Sequence, residues 1–227
     1  MTDLEFELVH RFAFQQPTTV MIAGPTMSGK TRLLIRMLKE GVFRPGPTRV
    51  IWVYGEYQPI YDDVKALWPH TEFEREMTPE LYESIKPDER NLVVLDDKMN
   101  DESGSKTLSK LFTQGAHHRN LTVIFIVQNL FHQGDSMRTV SLNCHYMILF
   151  KNPRDKGQVR ALGSQMYPGD TNFLVSSYRD ATDARYGYLL LDLHPETPED
   201  LRVRTGIFPD EVPQVSLPRR YKKGSSK

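Results

Sequence analysis

The chain has one cysteine, Cys144, so no disulfide can close within it. A lone cysteine beside an apolar run reads as a small buried residue, and such sparse use fits a reducing compartment. No apolar run approaches the roughly 20 residues that span a bilayer. The first stretch, MTDLEFELVHRFAFQQ, carries too many charges for a secretory signal. Charge of one sign is also lacking, with 29 Lys+Arg against 29 Asp+Glu. That balance excludes a global demand for a polyanionic partner, but leaves room for basic loops confined to a few places. The adjacent His117 and His118 point about 100° apart on a helix and, with no cysteine nearby, make a poor zinc pair. There is no internal repeat and no low-complexity tract. What remains is a soluble, intracellular chain. Its 227 residues, 39% of them hydrophobic, suit one α/β domain with a substantial core.

The most informative feature present is Gly24-Pro25-Thr26-Met27-Ser28-Gly29-Lys30-Thr31, a complete G-x-x-x-x-G-K-[ST] loop. An apolar run at 18–23 (TTVMIA) precedes it as a buried strand, and 32–41 (RLLIRMLKEG) follows as a helix ended by Gly41. A chance Gly-rich turn would not carry both flanks. Such a loop turns successive backbone N–H groups inward, and the helix adds its positive dipole end. Lys30 is then placed for the β- and γ-phosphates of ATP, the Thr31 hydroxyl for Mg²⁺, and Arg32 continues the binding segment.

Apolar runs alternate with amphipathic stretches, the pattern of a mainly parallel sheet covered by helices on both faces. Strands are expected at 49–54 (RVIWVY), 91–95 (NLVVL), 121–127 (LTVIFIV) and 145–150 (HYMILF), with a short edge strand at 71–76. Helical spacing is weak over 57–68 and clearer over 79–85, 103–116, 155–166 and 170–181. Residues 186–193 and 201–208 read as a closing β pair. The domain is expected to span 1–208. Residues 209–227 hold three prolines and the cluster Arg219, Arg220, Lys222 and Lys223, and read as an extended or flexible basic tail.

The strand 91–95 delivers Asp96 and Asp97 at its C-terminal end, where ligands bind in open α/β sheets. Asp96 is expected to face Mg²⁺, and Asp97 to orient or deprotonate the attacking water. Many hydrolases place a glutamate there, so Glu56, after the second strand, is the other candidate base. Paired acids also occur in ordinary turns. The strand 121–127 ends in Gln128, whose amide suits it to sense the γ-phosphate. That strand is expected between the loop strand and the acid strand, the additional-strand class of ATPases.

The segments IAGPTMSGKT, NLVVLDD, FTQGAHHRNLTVIFIVQNLFHQG, LNCHYMILFKNPRDKGQVRALGSQMYP and YGYLLLDL together resemble the genome-packaging ATPases of Polinton (Maverick) elements and adintoviruses. Those are relatives of the poxvirus-type packaging ATPases in the FtsK–HerA superfamily. The resemblance spans roughly residues 18–208. It implies a P-loop NTPase with a RecA-like core, ATP hydrolysis with Mg²⁺, and a homo-oligomeric ring (pentamer or hexamer). It also implies translocation of double-stranded DNA into a preformed capsid, with capsid portal or vertex proteins as partners and no membrane. The host cell at the site of virion assembly is the implied location. Gln128 is implied as the sensor, and one arginine as the group reaching the neighbouring subunit's nucleotide, with Arg119 first and Arg138 and Arg154 as alternatives. A fused nuclease domain has no room in the chain, so any cutting of DNA is expected from another protein.

Pore contacts to DNA phosphates are expected from the loop 98–106, Lys106 included, and from 131–138, while the basic tail binds DNA, a portal protein or nothing. Tyr167, Phe173, Tyr178 and Tyr186 read as core or subunit-contact groups. The rival function is a small P-loop phosphotransferase, a nucleotide or nucleoside kinase, with Arg179 and Arg185 on a lid. A third reading is a nucleotide-dependent scaffold without useful turnover.

Overall fold

Uninterrupted apolar runs can be buried only when both faces of a sheet are covered, and the computed structural model shows that arrangement. It describes residues 12–96, 110–115, 119–130 and 135–218. The central sheet has nine strands in the order β11-β10-β9-β8-β2-β7-β6-β4-β5. These are β2 (Thr19–Ala23), β4 (Arg49–Tyr54), β5 (Glu72–Glu74), β6 (Asn91–Asp96), β7 (Leu121–Val127), β8 (Tyr146–Phe150), β9 (Tyr188–Asp192), β10 (Val203–Thr205) and β11 (Gln214–Val215). From β8 to β5 all neighbours run parallel, while β9, β10 and β11 join antiparallel. A separate parallel pair joins β1 (Phe14–Gln15) to β3 (Phe43–Arg44).

Period-2 alternation decides which side chain meets which helix. Met21, Val93, Leu95, Val123, Phe125 and Met147 share one core with α5 (Gly157–Met166) and α6 (Thr171–Ala181), through Val159, Leu162, Leu174 and Tyr178. Val20, Ile22, Trp52, Leu92, Val94, Ile124 and Ile148 face the other way. They meet Leu34 and Met37 of α1 (Lys30–Lys39) and Tyr61 and Val64 of α2 (Tyr61–Leu67). Burying one such aliphatic or aromatic side chain contributes about 1.5–3 kcal/mol. The other α-helices among the described residues are α3 (Pro79–Glu83), capped by the Thr78 hydroxyl accepting from the Leu81 N–H, and α4 (Asp135–Leu142).

The sequence expectations for the sheet, its edge strand and its closing pair match these elements. The helix expected over 103–116 is described only at its end, where Leu111–Gly115 forms a π-helical turn. The segment 131–138, read as a loop, enters α4 from Asp135 onward. Residues 209–218, read as the start of a tail, belong to the packed structure. β11 pairs with β10, and Arg36 of α1 bonds both Asp210 and Glu211. The basic cluster at 219–223 lies outside the described residues.

Candidate nucleotide site

The strand order places β2 at the centre of the sheet, with β7 between it and β6. Ala23 pairs with Val127 and Asp96 pairs with Ile126, so the loop after β2, the acid of β6 and Gln128 emerge at one end of three adjacent parallel strands. Residues from all three line one open cleft of about 320 Å³, together with Gln58, Ile60 and Tyr186.

The loop has the backbone that an anion cradle needs. Met27 has φ 64° and Gly29 φ 105°, two left-handed residues that break the chain direction and begin α1. Alternation of that kind gathers N–H groups into a concavity. Gly24 is held by its N–H to the Val127 carbonyl at 3.1 Å, which ties the loop to the strand bearing Gln128. A side chain at Gly24 would lie 2.7 Å from Phe150 Cβ and 2.8 Å from Ser28 Oγ, so backbone alone fits there. The Ser28 hydroxyl is buried with no hydrogen-bond partner. A buried hydroxyl left unpaired costs about 1–3 kcal/mol. An orphan of this kind inside a Gly-rich cradle fits a site shaped for an oxyanion.

Lys30 Nζ donates to the carbonyls of Gly24 and Pro25, at 2.7 and 3.0 Å. The ammonium therefore lies across the mouth of its own loop. Thr26, Met27, Ser28, Gly29, Lys30, Thr31 and Arg32 all line the cleft, while Gly24 and Pro25 contribute the two carbonyls beneath it. Met27 is 91% exposed at the loop tip.

Asp96 is 3% exposed, yet its carboxylate borders the cleft. The Tyr61 hydroxyl, itself fully buried, donates to Asp96 Oδ2 at 2.9 Å. Tyr61 is fixed by packing on Trp52 and Phe73, with ring centroids 5.4 and 5.8 Å away. This orienting group was not foreseen. Residues 57–68 gave only a weak helical signal, and nothing local marks a tyrosine that reaches across to another strand. Among the described residues no cluster of three or more His, Cys, Asp or Glu could hold a metal by itself. A Thr hydroxyl and one carboxylate beside a phosphate cradle nevertheless suit Mg²⁺, which keeps waters and shares phosphate ligands.

Gln128 is exposed at the end of β7 and borders both this cleft and a smaller pocket beside it. Two residues on, the Leu130 N–H donates to Gln158 Oε1 at 2.8 Å, and Gln158 Nε2 donates to Asp155 Oδ2 at 2.7 Å. Asn152, in the same loop after β8, is held by its N–H to the Tyr178 hydroxyl, which donates to the Phe150 carbonyl. The segment just after β7 and the loop carrying Arg154 are thus joined by hydrogen bonds.

Other expectations meet different placements. Asp97 and the loop 98–106 lie outside the described residues, as do His117, His118, residues 131–134 and the side chain of Arg138. Glu56 is exposed and is not among the cleft's lining residues, where Gln58 and Ile60 of the same loop take that position. Arg119 sits before β7, at the opposite end of the sheet from the cleft. Its guanidinium donates to the carbonyls of Tyr82, Glu83 and Ile85, pairs with the Glu83 carboxylate and lies 4.5 Å from the Tyr82 ring centroid. The hydrogen bond to the Glu83 carboxylate raises its pKa. Tyr82 and Glu83 are the last two residues of α3 and Ile85 follows it, so Arg119 caps the C-terminal end of α3 within its own chain. That engagement conflicts with a guanidinium reaching a neighbour's nucleotide. Arg154 is exposed on the loop after β8, at the cleft end of the sheet. Tyr178 is buried, and Tyr167 packs edge-on against Phe173 at 4.8 Å, as core groups do. Tyr186 instead is half exposed on the cleft.

Solved structures share this architecture. That of the genome packaging NTPase B204 from Sulfolobus turreted icosahedral virus 2, in complex with ATP-gammaS, aligns with a TM-score of 0.53 at 12% identity. The alignment covers 88% of this chain and 97% of that one. The structure of B204, the DNA-packaging ATPase from Sulfolobus turreted icosahedral virus, gives the same TM-score, identity and coverage. The fold is therefore the α/β architecture, with a mostly parallel central sheet, of P-loop ATPases. No protein-family model and no curated protein sequence matches the chain. Among the described residues no helix is long and apolar enough to cross a membrane.

Proposed function

We propose that this chain is an Mg²⁺-dependent ATPase that drives double-stranded DNA into a capsid as a homo-oligomeric ring. The observation that carries the reading is the convergence of Lys30, Asp96 and Gln128 on one cleft, with the Gln128 strand between the other two. The additional strand brings a sensing amide beside the phosphates and connects it to the rest of the sheet. The names of the fold neighbours, both genome-packaging enzymes, support the same direction. The segments quoted above extend the support to the Polinton and adintovirus packaging ATPases.

Bound Mg²⁺ would neutralise charge developing on the transferred phosphoryl group. The chain's own parts divide the remaining work. Loop N–H groups cradle the phosphates, and Lys30 exchanges its two loop carbonyls for phosphate oxygens. Thr31 and Asp96 hold the metal, with Tyr61 fixing the carboxylate. Gln128 positions the attacking water. Asp97, next to Asp96, is the proposed base. Arg154 replaces Arg119 as the proposed trans-acting group, because it is exposed at the cleft end and its loop is linked through Gln158 to the end of the sensor strand. Portal or vertex proteins of the capsid are the proposed docking partners.

The phosphotransferase reading has less support. Arg179 lies within α6 and Arg185 on the short turn between α6 and β9, which leaves little chain for a lid. The test is steady-state ATP hydrolysis with and without double-stranded DNA. A motor is stimulated severalfold by DNA of any sequence, whereas a phosphotransferase is indifferent to DNA and turns over only with a second small substrate. Lys30→Ala abolishes nucleotide binding in either case. Asp97→Asn retains binding without hydrolysis, which a pure scaffold would not distinguish from wild type.

A further inference from the structure

The cleft has two sides, and its chemistry identifies only one. Asp96 and Gln128 stand on β6 and β7, to one side of the loop strand, and mark where the terminal phosphate lies. A nucleoside triphosphate so oriented directs its nucleoside toward the other side, where β8 flanks β2 and β9 lies beyond it. The residue lining the cleft from that side is Tyr186.

Tyr186 is placed there at a conformational cost. It has φ 63°, a left-handed conformation that bulky residues adopt only where the surroundings impose it. The following Gly187 N–H closes a turn onto the Ala184 carbonyl at 3.0 Å, and β9 begins at Tyr188. Tyr188 is buried and bonded to Glu211, while Tyr186, two residues earlier, leaves 50% of its surface exposed. Its ring packs against the phosphate loop itself. A Cβ at Gly29 would lie 3.0 Å from Tyr186 Cδ1 and 3.6 Å from Phe150 Cε1. Arg185 steadies the ring, with Nη2 donating to the Tyr186 hydroxyl at 3.1 Å and the guanidinium carbon 4.9 Å from the ring centroid.

We propose that Tyr186, supported by Arg185, is the stacking platform for the nucleobase of the bound nucleoside triphosphate. This rests on the nucleotide-site reading above and extends it to the base. An aromatic face joined to a guanidinium attracts any π-system and carries no pattern of donors and acceptors aimed at one base edge. The platform therefore recognises that a base is present more than which base it is.

The test compares two ligands in the presence of Mg²⁺, ATPγS and inorganic tripolyphosphate, by titration calorimetry on the full chain. Tyr186→Asn removes the ring but keeps a residue that tolerates positive φ. It should weaken ATPγS by about 5- to 100-fold, the usual worth of one base stack, and leave tripolyphosphate within twofold. Tyr186→Trp should retain ATPγS binding, with indole fluorescence quenched by ATPγS and unchanged by tripolyphosphate. Unchanged ATPγS affinity in Tyr186→Asn, or equal weakening of both ligands, overturns the platform while leaving the phosphate site in place. If the wild-type chain binds neither ligand, the nucleotide-site reading itself fails, and the platform with it.

Discussion

The hydroxyl of Tyr61 donates to Asp96 Oδ2 at 2.9 Å, and both residues are buried. A carboxylate meant to hold a metal gains from such a partner, because its orientation is fixed before the ion arrives. Tyr61→Phe is expected to raise the Mg²⁺ concentration needed for half-maximal hydrolysis by about 10-fold or more. Turnover at saturating Mg²⁺ should recover most of its wild-type value. Metal titrations of ATPase rate check this, and an unchanged Mg²⁺ requirement would leave Tyr61 a core residue only.

Variants at Arg119 and Arg154 are expected to separate stability from assembly-dependent chemistry. Arg119→Ala removes the cap on the carbonyls at the C-terminal end of α3 and is expected to cost about 1.5–3 kcal/mol, lowering the melting temperature by roughly 3–10 °C. DNA-stimulated turnover per folded molecule should persist. Arg154→Ala is expected to melt like wild type and lose about 10³-fold or more in stimulated rate. Thermal melts and ATPase assays on both variants decide the assignment. The reverse pattern would return the trans-acting role to Arg119.

How much of this was legible in the sequence depended on the range of the signal. The G-x-x-x-x-G-K-T loop, the acid that ends β6 and the interposed position of β7 rest on local patterns, a motif between strand and helix and unbroken apolar runs. Those features were readable. Tyr61 was not, since a tyrosine on a weakly amphipathic stretch gives no sign that its hydroxyl meets Asp96 35 residues on. Arg119 is a related case. Its position just before β7 suggests a role at a neighbour's nucleotide, while its partners come from α3 and the residues after it. Tyr186 reads from the sequence as a core or subunit-contact group, and its position on the cleft at positive φ has no local signal. The docking of residues 209–218 depends on Arg36 and Tyr188 finding Glu211, a long-range pairing that prolines and charge concealed.

That docking makes a stability prediction. Truncation after Phe208 removes β11, the Arg36 ion pairs and the Tyr188–Glu211 hydrogen bond. A loss of about 2 kcal/mol or more is expected, or roughly 4–8 °C in melting temperature. Truncation after residue 218 should leave the melt unchanged. Equal melting of the two truncated chains would show that the segment contributes nothing.

Cys144 gives a test by pH. Burial pushes its thiol well above the ordinary range. The group keeps its proton in the folded state while the unfolded chain releases it near pH 8.5. Its stabilising contribution is thus complete below about pH 8.5 and falls as pH rises, by about 1.4 kcal/mol per unit. Cys144→Ala should show a shallower decline in stability between about pH 8.5 and 10.5, read by denaturant melts. A thiol reagent should label wild type only after unfolding. Rapid labelling of the folded protein would contradict the burial.

The central claim is that one triphosphate is gripped between Lys30 and a metal held by Asp96. A crystal structure with Mg²⁺ and ATPγS tests it most directly. The expected result shows Lys30 Nζ moved from the Gly24 and Pro25 carbonyls onto the β- and γ-phosphates, with Asp96 in the Mg²⁺ shell directly or through water. A bound triphosphate with Lys30 still on those carbonyls, or with the metal remote from Asp96, would contradict it.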